Sequence, residues 1–156
     1  MDKKQIRDMD KKQILIEFLP RTLWIIEGFC LYLGVRYYSF TFSIKTLTVI
    51  LAYMLIVIGA VFLLWAFSTF IIKAKTLITK ELITSGPYKI VRHPMYTAIY
   101  IILVGVGLLL SLYTWFIILV FFIPFWYLVA RAEEWQMTSL YGEKYLAYKK
   151  KTRMFL

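Results

Sequence analysis

Two long segments without a charged residue dominate the chain. Residues 46–72 form one such segment of 27 positions, and residues 95–130 form another of 36. Each exceeds the roughly 20 residues that a helix needs to cross the hydrocarbon core of a bilayer. The longer segment would make a helix of about 54 Å against a core of about 30 Å, so it is expected to fold back as a hairpin that turns near residues 111–114.

An additional span is predicted near the N-terminus, where Glu17, Arg21 and Glu27 interrupt an apolar segment that Pro20 would start or kink. A cleavable signal peptide is the alternative, but no small-x-small cleavage site follows, which favours a retained helix. The sequence predicts an all-α, polytopic membrane protein with about four transmembrane helices, the last two a hairpin, and a cytoplasmic C-terminal helix. We expect a basic tail over residues 1–13, one domain over 14–156, and spans at about 14–35, 47–72, 94–111 and 114–131.

Composition and charge support a membrane protein and set its orientation. Hydrophobic residues make up 61% of the 156 positions, against roughly 45–50% in a soluble domain. Two basic residues lie between positions 36 and 45, whereas five lie between 73 and 92 and six between 131 and 153. Because cytoplasmic loops carry the excess of lysine and arginine, both termini and the 73–94 loop are predicted to be cytoplasmic.

The net charge of +10 and the single cysteine bear on which partners and which metal or disulfide sites are expected. Basic residues that flank spans serve topology and anionic headgroups, so no nucleic-acid partner is expected. Cys30 stands alone and the chain has one histidine, so neither a disulfide framework nor a usual zinc site is predicted. Gly105 and Gly107 lack the rest of a nucleotide-binding fingerprint, which favours close helix packing as their role.

The first polar segment with candidate chemistry covers residues 82–96. Gly86-Pro87 is a turn signal, and Pro94 suits the first position of a helix. His93 would then lie at the mouth of the third span, where free N–H groups and the positive helix end favour an anion. The alternative is that Arg92 and His93 only anchor this helix at the headgroups.

The second polar segment follows the last apolar residues. Glu133 and Glu134 fall where the hairpin returns beside its own start, with helix three beginning at Pro94 and helix four ending near Ala130. We therefore expect Glu133 and His93 to meet on one face. Further along, a stripe at i, i+4, i+7 indicates either a site wall or an interfacial aromatic belt; it consists of Tyr141, Tyr145 and Tyr148.

These two segments resemble a known family. Residues 82–96 are similar to the signature of the isoprenylcysteine carboxyl methyltransferases and phospholipid methyltransferases, leucine-valine-threonine-serine-glycine-proline-tyrosine followed by arginine-histidine-proline-x-tyrosine. The glutamate pair, with Leu140-Tyr141-Gly142, Tyr145 and Tyr148, resembles the second half of that signature. The resemblance covers about residues 47–153.

The resemblance implies an integral membrane enzyme that transfers a methyl group from S-adenosylmethionine to a lipid or lipophilic small molecule. The acceptor would be a prenylcysteine-like carboxylate or a lipid amine. Glu133, Glu134 and Arg131 would be catalytic. The cofactor pocket would be lined by Leu82, Ile83, Tyr88, His93, Pro94, Met95 and Tyr96.

The chain departs from the family pattern at two positions. Ala98 stands where the family often has glycine, which would tighten a helix contact. Arg131 lies two residues before the glutamate pair, whereas the family usually has an arginine four before it, at the position of Val129 here. Two residues correspond to about 200° around a helix, so Arg131 would point elsewhere.

Two other functions remain open on the sequence. The fold is similar to the catalytic half of membrane sterol reductases, which use NADPH, although the 73–94 loop offers mostly lysines and few arginines for the extra phosphate. A non-catalytic membrane subunit is the second alternative, and it leaves the signature without a role. The sequence does not set the oligomeric state.

Overall fold

The computed structural model describes the backbone of residues 3–38, 40–76 and 82–156, and side chains over 18–38, 40–73 and 82–156. The side chains of the predicted basic tail, residues 1–13, therefore lie outside the described residues. The described chain is helical, with no named strand. Its elements are α1 Lys3–Tyr37, α2 Thr46–Thr76, a 3-10 helix Gly86–Lys89, α3 Pro94–Leu110, α4 Tyr113–Tyr141 and α5 Glu143–Lys151.

Three helical segments of the described chain are long and apolar enough to cross a membrane: Phe18–Tyr37, Thr46–Lys73 and Tyr113–Tyr141. The apolar helix α3 is shorter, with 17 residues, which is the lower end of the range that spans a bilayer. Large apolar side chains such as Leu64 and Val120 are exposed along these helices, as expected for surfaces that face lipid. The predicted all-α membrane protein is confirmed.

Helices α2 and α3 pack together through small residues. A Cβ added at Gly105 would lie 2.8 Å from the Ala52 carbonyl oxygen, and one added at Gly59 would lie 3.0 Å from that of Ala98. Ala52 and Ala98 are themselves fully buried. The predicted packing role of Gly105 is confirmed, and Gly59 on the opposite helix leaves room for Ala98 in place of the family's glycine.

Helix α1 packs on α4 through aromatic rings and a buried carboxylate. Trp24 lies on Trp126 with a centroid separation of 4.0 Å. Glu27 is only 1% exposed, and it accepts hydrogen bonds from Trp126 Nε1 at 2.7 Å and the Tyr100 hydroxyl at 3.0 Å. These bonds join α1 to both arms of the hairpin and satisfy a polar group that would be costly in lipid.

The hairpin turns at the predicted place. Ser111 adopts a left-handed conformation with φ 55°, and Leu112 leads directly into α4. The loop before α2 pairs with this turn, because Tyr113 N–H donates to the Phe40 carbonyl and Phe42 N–H donates to the Ser111 carbonyl, each at 2.9 Å. The two loops therefore lie at one end of the molecule.

The prediction that helix four ends near Ala130 is wrong, because α4 continues to Tyr141. Residues 131–141 are compatible with a helix and include no glycine or proline that would stop it before Gly142. Glu133 and Glu134 consequently lie within a rigid helix and not on a loop after it. The short helix α5 then folds back against α4.

The C-terminal segment runs beside the start of α3. Arg92 N–H donates to the Arg153 carbonyl at 2.8 Å, and His93 N–H donates to the Met154 carbonyl at 3.2 Å. The Phe155 ring lies 5.7 Å from the imidazole of His93. This pairing fixes the backbone on which the candidate site is built.

Candidate active site

A cavity of about 440 Å³ opens at the polar end of the helices, opposite the hairpin turn. Its volume lies within the range of about 300–1,000 Å³ that is usual for small-molecule sites. All five α-helices and the segment before α3 contribute to its wall. The lining residues are Pro20, Arg21, Phe70, Leu82, Ile83, Tyr88, Arg92, His93, Pro94, Met95, Tyr96, Glu133, Gln136, Met137, Tyr141, Tyr145 and Tyr148.

All seven residues predicted to line a cofactor pocket lie in this one cavity, and so does Glu133. A left-handed turn at Gly86, φ +59°, brings the first part of the segment into place; a Cβ there would lie 3.0 Å from Thr69 Oγ1 of α2. Pro87 is buried in the 3-10 helix that follows, and Pro94 occupies the first turn of α3. The signature thus folds as a turn, a short helix and a helix start around one space.

Glu133 and His93 meet as expected, at the mouth of α3. Glu133 Oε2 lies 3.3 Å from His93 Nδ1, and Glu133 Oε1 accepts a short hydrogen bond from the Tyr96 hydroxyl. The His93 and Tyr96 rings are stacked, with centroids 5.6 Å apart and planes within 2°. Glu133 is 27% exposed, so its carboxylate is held by two donors yet reaches the cavity.

Glu134 has a different environment from its neighbour. It is 1% exposed and does not line the cavity. Arg92 Nε donates to Glu134 Oε1 at 2.6 Å, and Lys149 Nζ lies 2.6 Å from Oε2 in an ion pair. Arg92 also donates to the carbonyls of Lys149 and Thr152. We call Arg92, Glu134 and Lys149 the support cluster, since they tie α4 and α5 to the start of α3.

Arg131 does not join the site. Its side chain is exposed and lies outside the cavity wall, as expected for a residue about 200° around the helix from Glu133. Val129, at the position where the family usually has arginine, is 2% exposed and belongs to the apolar core around Trp126. The catalytic assignment of Arg131 therefore stays a prediction to which the geometry adds nothing.

Burial and charge set the protonation of two residues in the site. Burial lowers the pKa of His93, but the carboxylates of Glu133, 3.3 Å from Nδ1, and of Glu134, 3.6 Å from Nε2, outweigh this effect and raise its pKa above the ordinary value. Burial, and then the charge of Glu133, raise the pKa of Tyr88 to about 12. The two carboxylates therefore favour the protonated form of the imidazole, and the Tyr88 hydroxyl stays neutral near neutral pH.

Sequence reasoning missed several wall residues. Pro20 and Arg21 come from α1 and Phe70 from the end of α2, and no local pattern links them to the signature. Gln136 and Met137 follow Glu133 at i+3 and i+4, a spacing that would have indicated them had α4 been predicted to continue. The tyrosine stripe also belongs to the wall: Tyr145 is 3% exposed, and the Tyr148 hydroxyl donates to the Tyr88 carbonyl at 2.6 Å.

The fold and the site together define an integral membrane protein with a cavity at the polar end of its helices, where the Glu133 carboxylate faces the His93 imidazole. The family model for phospholipid methyltransferase matches residues 47–144, which is more than half of the chain. The chain belongs to this phospholipid methyltransferase family, as predicted, and membership implies methyl transfer to a lipid as its class of activity. Comparison with curated proteins and with solved structures found no match.

Proposed function

We propose that the protein is an S-adenosylmethionine-dependent methyltransferase that acts on a lipid amine at the cytoplasmic face of the membrane. The main support is the convergence of the seven signature residues and Glu133 on one cavity in a chain of the phospholipid methyltransferase family. The cofactor, the acceptor and the orientation each rest on a separate argument.

The cavity wall suits S-adenosylmethionine. Two buried polar atoms on the wall, His93 Nε2 and the Tyr88 hydroxyl, make no hydrogen bond within the described protein. His93 Nε2 lies 3.6 Å from Glu134 Oε1, which is close enough for an ion pair but too long for a hydrogen bond. Buried polar atoms without a hydrogen bond cost free energy, so these two atoms are candidates for hydrogen bonds to a ligand. The wall is also rich in tyrosine rings, whose faces attract a sulfonium cation; they belong to Tyr88, Tyr96, Tyr141, Tyr145 and Tyr148.

The same features speak against a nicotinamide dinucleotide phosphate. That cofactor is much larger than S-adenosylmethionine and carries several phosphate charges, which proteins usually bind with arginines. The described wall has two arginines, and Arg92 is already paired with Glu134. A cavity of about 440 Å³ fits a single nucleoside-sized molecule better than a dinucleotide.

Glu133 supports an amine as the acceptor. A cavity-facing carboxylate attracts an ammonium group, whereas it would repel a prenylcysteine carboxylate. When bound, S-adenosylmethionine would supply a methyl group on a positively charged sulfur, and attack on the methyl carbon would release that sulfur as a neutral thioether. Glu133 holds the amine and takes the proton that the nitrogen must lose, while His93 and Tyr96 keep the carboxylate in place through their hydrogen bonds.

The experiment that tests the cofactor is calorimetry on the purified protein in detergent. S-adenosylmethionine and its demethylated product should bind, and reduced nicotinamide dinucleotide phosphate should not. Binding of the nicotinamide cofactor alone would refute the proposal in favour of a reductase. Absence of binding by any of the three would favour a non-catalytic subunit.

The positive-inside rule supports a cytoplasmic site, and labelling can test it. In a Cys30→Ala background, Thr114→Cys at the hairpin turn should react with an impermeant thiol reagent in intact cells. Ser85→Cys, beside the cavity segment, should react only after permeabilisation. Labelling of Ser85→Cys in intact cells would place the cavity away from the cytoplasmic cofactor supply and contradict the orientation.

A further inference from the structure

We propose that Glu27 is a positioning residue of the candidate site, because it fixes how the two arms of the hairpin meet at the Tyr96–Glu133 hydrogen bond. Glu27 lies in the membrane-spanning part of α1, outside the residues that match the family model. Ionisable residues inside membrane spans are costly, and a retained one indicates a role. The inference rests on the proposed function, in which Glu133 holds the acceptor.

The site lies across a seam between two pairs of helices. Helix α3 packs mainly on α2 and α4 packs mainly on α1, whereas α3 and α4 share only a small interface. Tyr96 belongs to α3 and Glu133 to α4, so the hydrogen bond from the Tyr96 hydroxyl to the Glu133 carboxylate crosses the seam. Its geometry therefore depends on the contacts that hold the two pairs together.

Glu27 bridges this seam at membrane depth. Its Oε2 accepts a hydrogen bond from Trp126 Nε1 of α4 at 2.7 Å, and its Oε1 accepts one from the Tyr100 hydroxyl of α3 at 3.0 Å. The carboxylate is 1% exposed, so both bonds lie in a low-dielectric environment. Movement of either arm away from the other would break one of these bonds and leave a buried polar group unsatisfied, which is costly.

The two partners of Glu27 are aligned with the two site residues. Tyr100 follows Tyr96 by four residues on α3, and Glu133 follows Trp126 by seven residues on α4. Both spacings place the two residues on one face of their helix, about 6 Å and 10 Å apart along the axis. The two hydrogen bonds of Glu27 therefore fix the same helix faces that carry the site.

An aromatic cluster fills the space between Glu27 and the site. The Trp24 ring centroid lies 4.0 Å from that of Trp126 and 6.4 Å from that of Tyr96. The centroids of Tyr96 and Trp126 are 5.0 Å apart. Because close-packed side chains transmit strain, a shift of Trp126 is passed to the Tyr96 ring and its hydroxyl.

Removal and restoration of the two hydrogen bonds test the inference. Glu27→Leu is of similar size but accepts no hydrogen bond. Glu27→Gln can keep both, since its amide oxygen accepts from Trp126 Nε1 while its amide N–H donates to the Tyr100 hydroxyl oxygen. We expect kcat for methyl transfer to a lipid amine to fall about 10-fold to 100-fold in Glu27→Leu and to remain near the wild-type value in Glu27→Gln. An unchanged kcat in Glu27→Leu would overturn the inference.

Tyr100→Phe provides a milder variant in case Glu27→Leu does not fold. It keeps the ring and removes only the hydrogen bond between α3 and Glu27. Loss of one such bond should lower kcat about fivefold. A wild-type kcat in Tyr100→Phe would also contradict the positioning role.

Leu31→Ala is the matched control. Leu31 follows Glu27 by four residues on the same face of α1 and is also buried, with 6% exposure. Its truncation leaves a cavity but removes neither hydrogen bond, so the unfolding midpoint should fall while kcat is retained. An equal loss of kcat in Leu31→Ala and Glu27→Leu would mean that Glu27 acts only through stability, which would overturn the inference.

A double-mutant cycle shows whether Glu27 acts through the Tyr96 hydroxyl. Tyr96→Phe removes the hydrogen bond to Glu133, so there is no longer a bond for Glu27 to position. Addition of Glu27→Leu to Tyr96→Phe should therefore lower kcat little further. Losses that multiply in the double variant would contradict the inference.

Fluorine NMR on protein labelled with 3-fluorotyrosine separates this inference from the proposed function. The Tyr96 resonance is identified by its absence in Tyr96→Phe. It should move in Glu27→Leu and keep its position in Glu27→Gln and Leu31→Ala. This pattern without methyl transfer by the wild type would refute the methyltransferase proposal and leave the positioning role. An unmoved Tyr96 resonance in Glu27→Leu would refute the positioning role alone.

Discussion

Glu133 and Glu134 are neighbours in sequence, yet they belong to two different regions of the polar end. Glu133 lies in the cavity wall, held by His93 and Tyr96 and 27% exposed. Glu134 lies in the support cluster, 1% exposed and within 2.6 Å of both Arg92 and Lys149. One residue step turns a helix by about 100°, which is enough to aim one carboxylate at a ligand and the other into the protein.

The comparison of the two regions shows which carboxylate can interact with a substrate. Glu134 is surrounded by cations that fix α5 and the C-terminal segment, so a substrate cation would have to displace them. Among the described residues Glu133 pairs with one charged side chain, His93, and it lines the cavity. We therefore propose that Glu133 holds the acceptor and that Glu134 positions the cavity wall.

Removing the buried carboxylate should have the largest effect on stability. Glu134→Ala leaves Arg92, 9% exposed, as an unpaired buried charge, and breaking such a pair typically costs about 3–5 kcal/mol. In thermal unfolding in detergent, the midpoint should fall strongly for Glu134→Ala and only slightly for the matched variant Glu133→Ala. Equal unfolding midpoints of the two variants would erase the distinction between the regions.

The next effect concerns the cavity wall. His93→Ala removes Nε2, a buried nitrogen that makes no hydrogen bond within the described protein and that we assign to the cofactor. Loss of a charge-assisted hydrogen bond costs about 1.5–3 kcal/mol, or roughly 10-fold to 150-fold in affinity. Calorimetry with S-adenosylmethionine measures it. Lys89→Ala is the matched control, because it removes a charge from the same segment at an exposed position outside the cavity wall. This variant should bind S-adenosylmethionine with the affinity of the wild type. If both variants bind alike, the segment is a membrane anchor.

A conservative change in the support cluster should have a smaller effect. Arg92→Lys keeps the positive charge beside Glu134 but removes the guanidinium N–H groups that also donate to the carbonyls of Lys149 and Thr152. We expect the free energy of unfolding to fall by about 1 kcal/mol. Hydrogen exchange should quicken at the amides of residues 92 and 93, which donate to the C-terminal segment. Unchanged exchange would mean that the arginine does not fix this segment.

The smallest expected effect is a pH dependence of stability. The pKa of His93 is raised in the folded protein, so its contribution is fully present below pH 6.5 and is lost as the pH rises through the higher folded value. Unfolding midpoints in detergent should therefore fall as the pH rises above 6.5, and His93→Gln should remove this part of the decline. An identical pH profile in the variant would contradict the cationic imidazole.

Much of the site could be predicted because the signals are local. The charge-free segment of 36 residues required a hairpin, and a hairpin brings its end back to its start. The position of His93 near Glu133 therefore follows from the sequence. The wall residues of segment 82–96 were predicted through the family resemblance, and the short helix and the start of α3 that this segment forms explain why they lie together.

The remaining parts depend on contacts that sequence spacing does not show. Arg21 reaches the cavity only because α1 packs on α4 through Trp24 and Glu27. The burial of Glu134 depends on Lys149 of α5 and on the C-terminal segment beside Arg92. Neither the helix partners nor the continuation of α4 to Tyr141 follows from hydrophobic periodicity.

The most direct test of the account is the isosteric change Glu133→Gln, measured for stability, cofactor binding and turnover on a lipid amine. The substituted amide can still accept the hydrogen bond from Tyr96 but carries no charge and takes no proton. We predict an unfolding midpoint and an S-adenosylmethionine affinity close to the wild type, with methyl transfer reduced about 100-fold or more. Normal turnover by Glu133→Gln would contradict the assignment of this carboxylate to the acceptor.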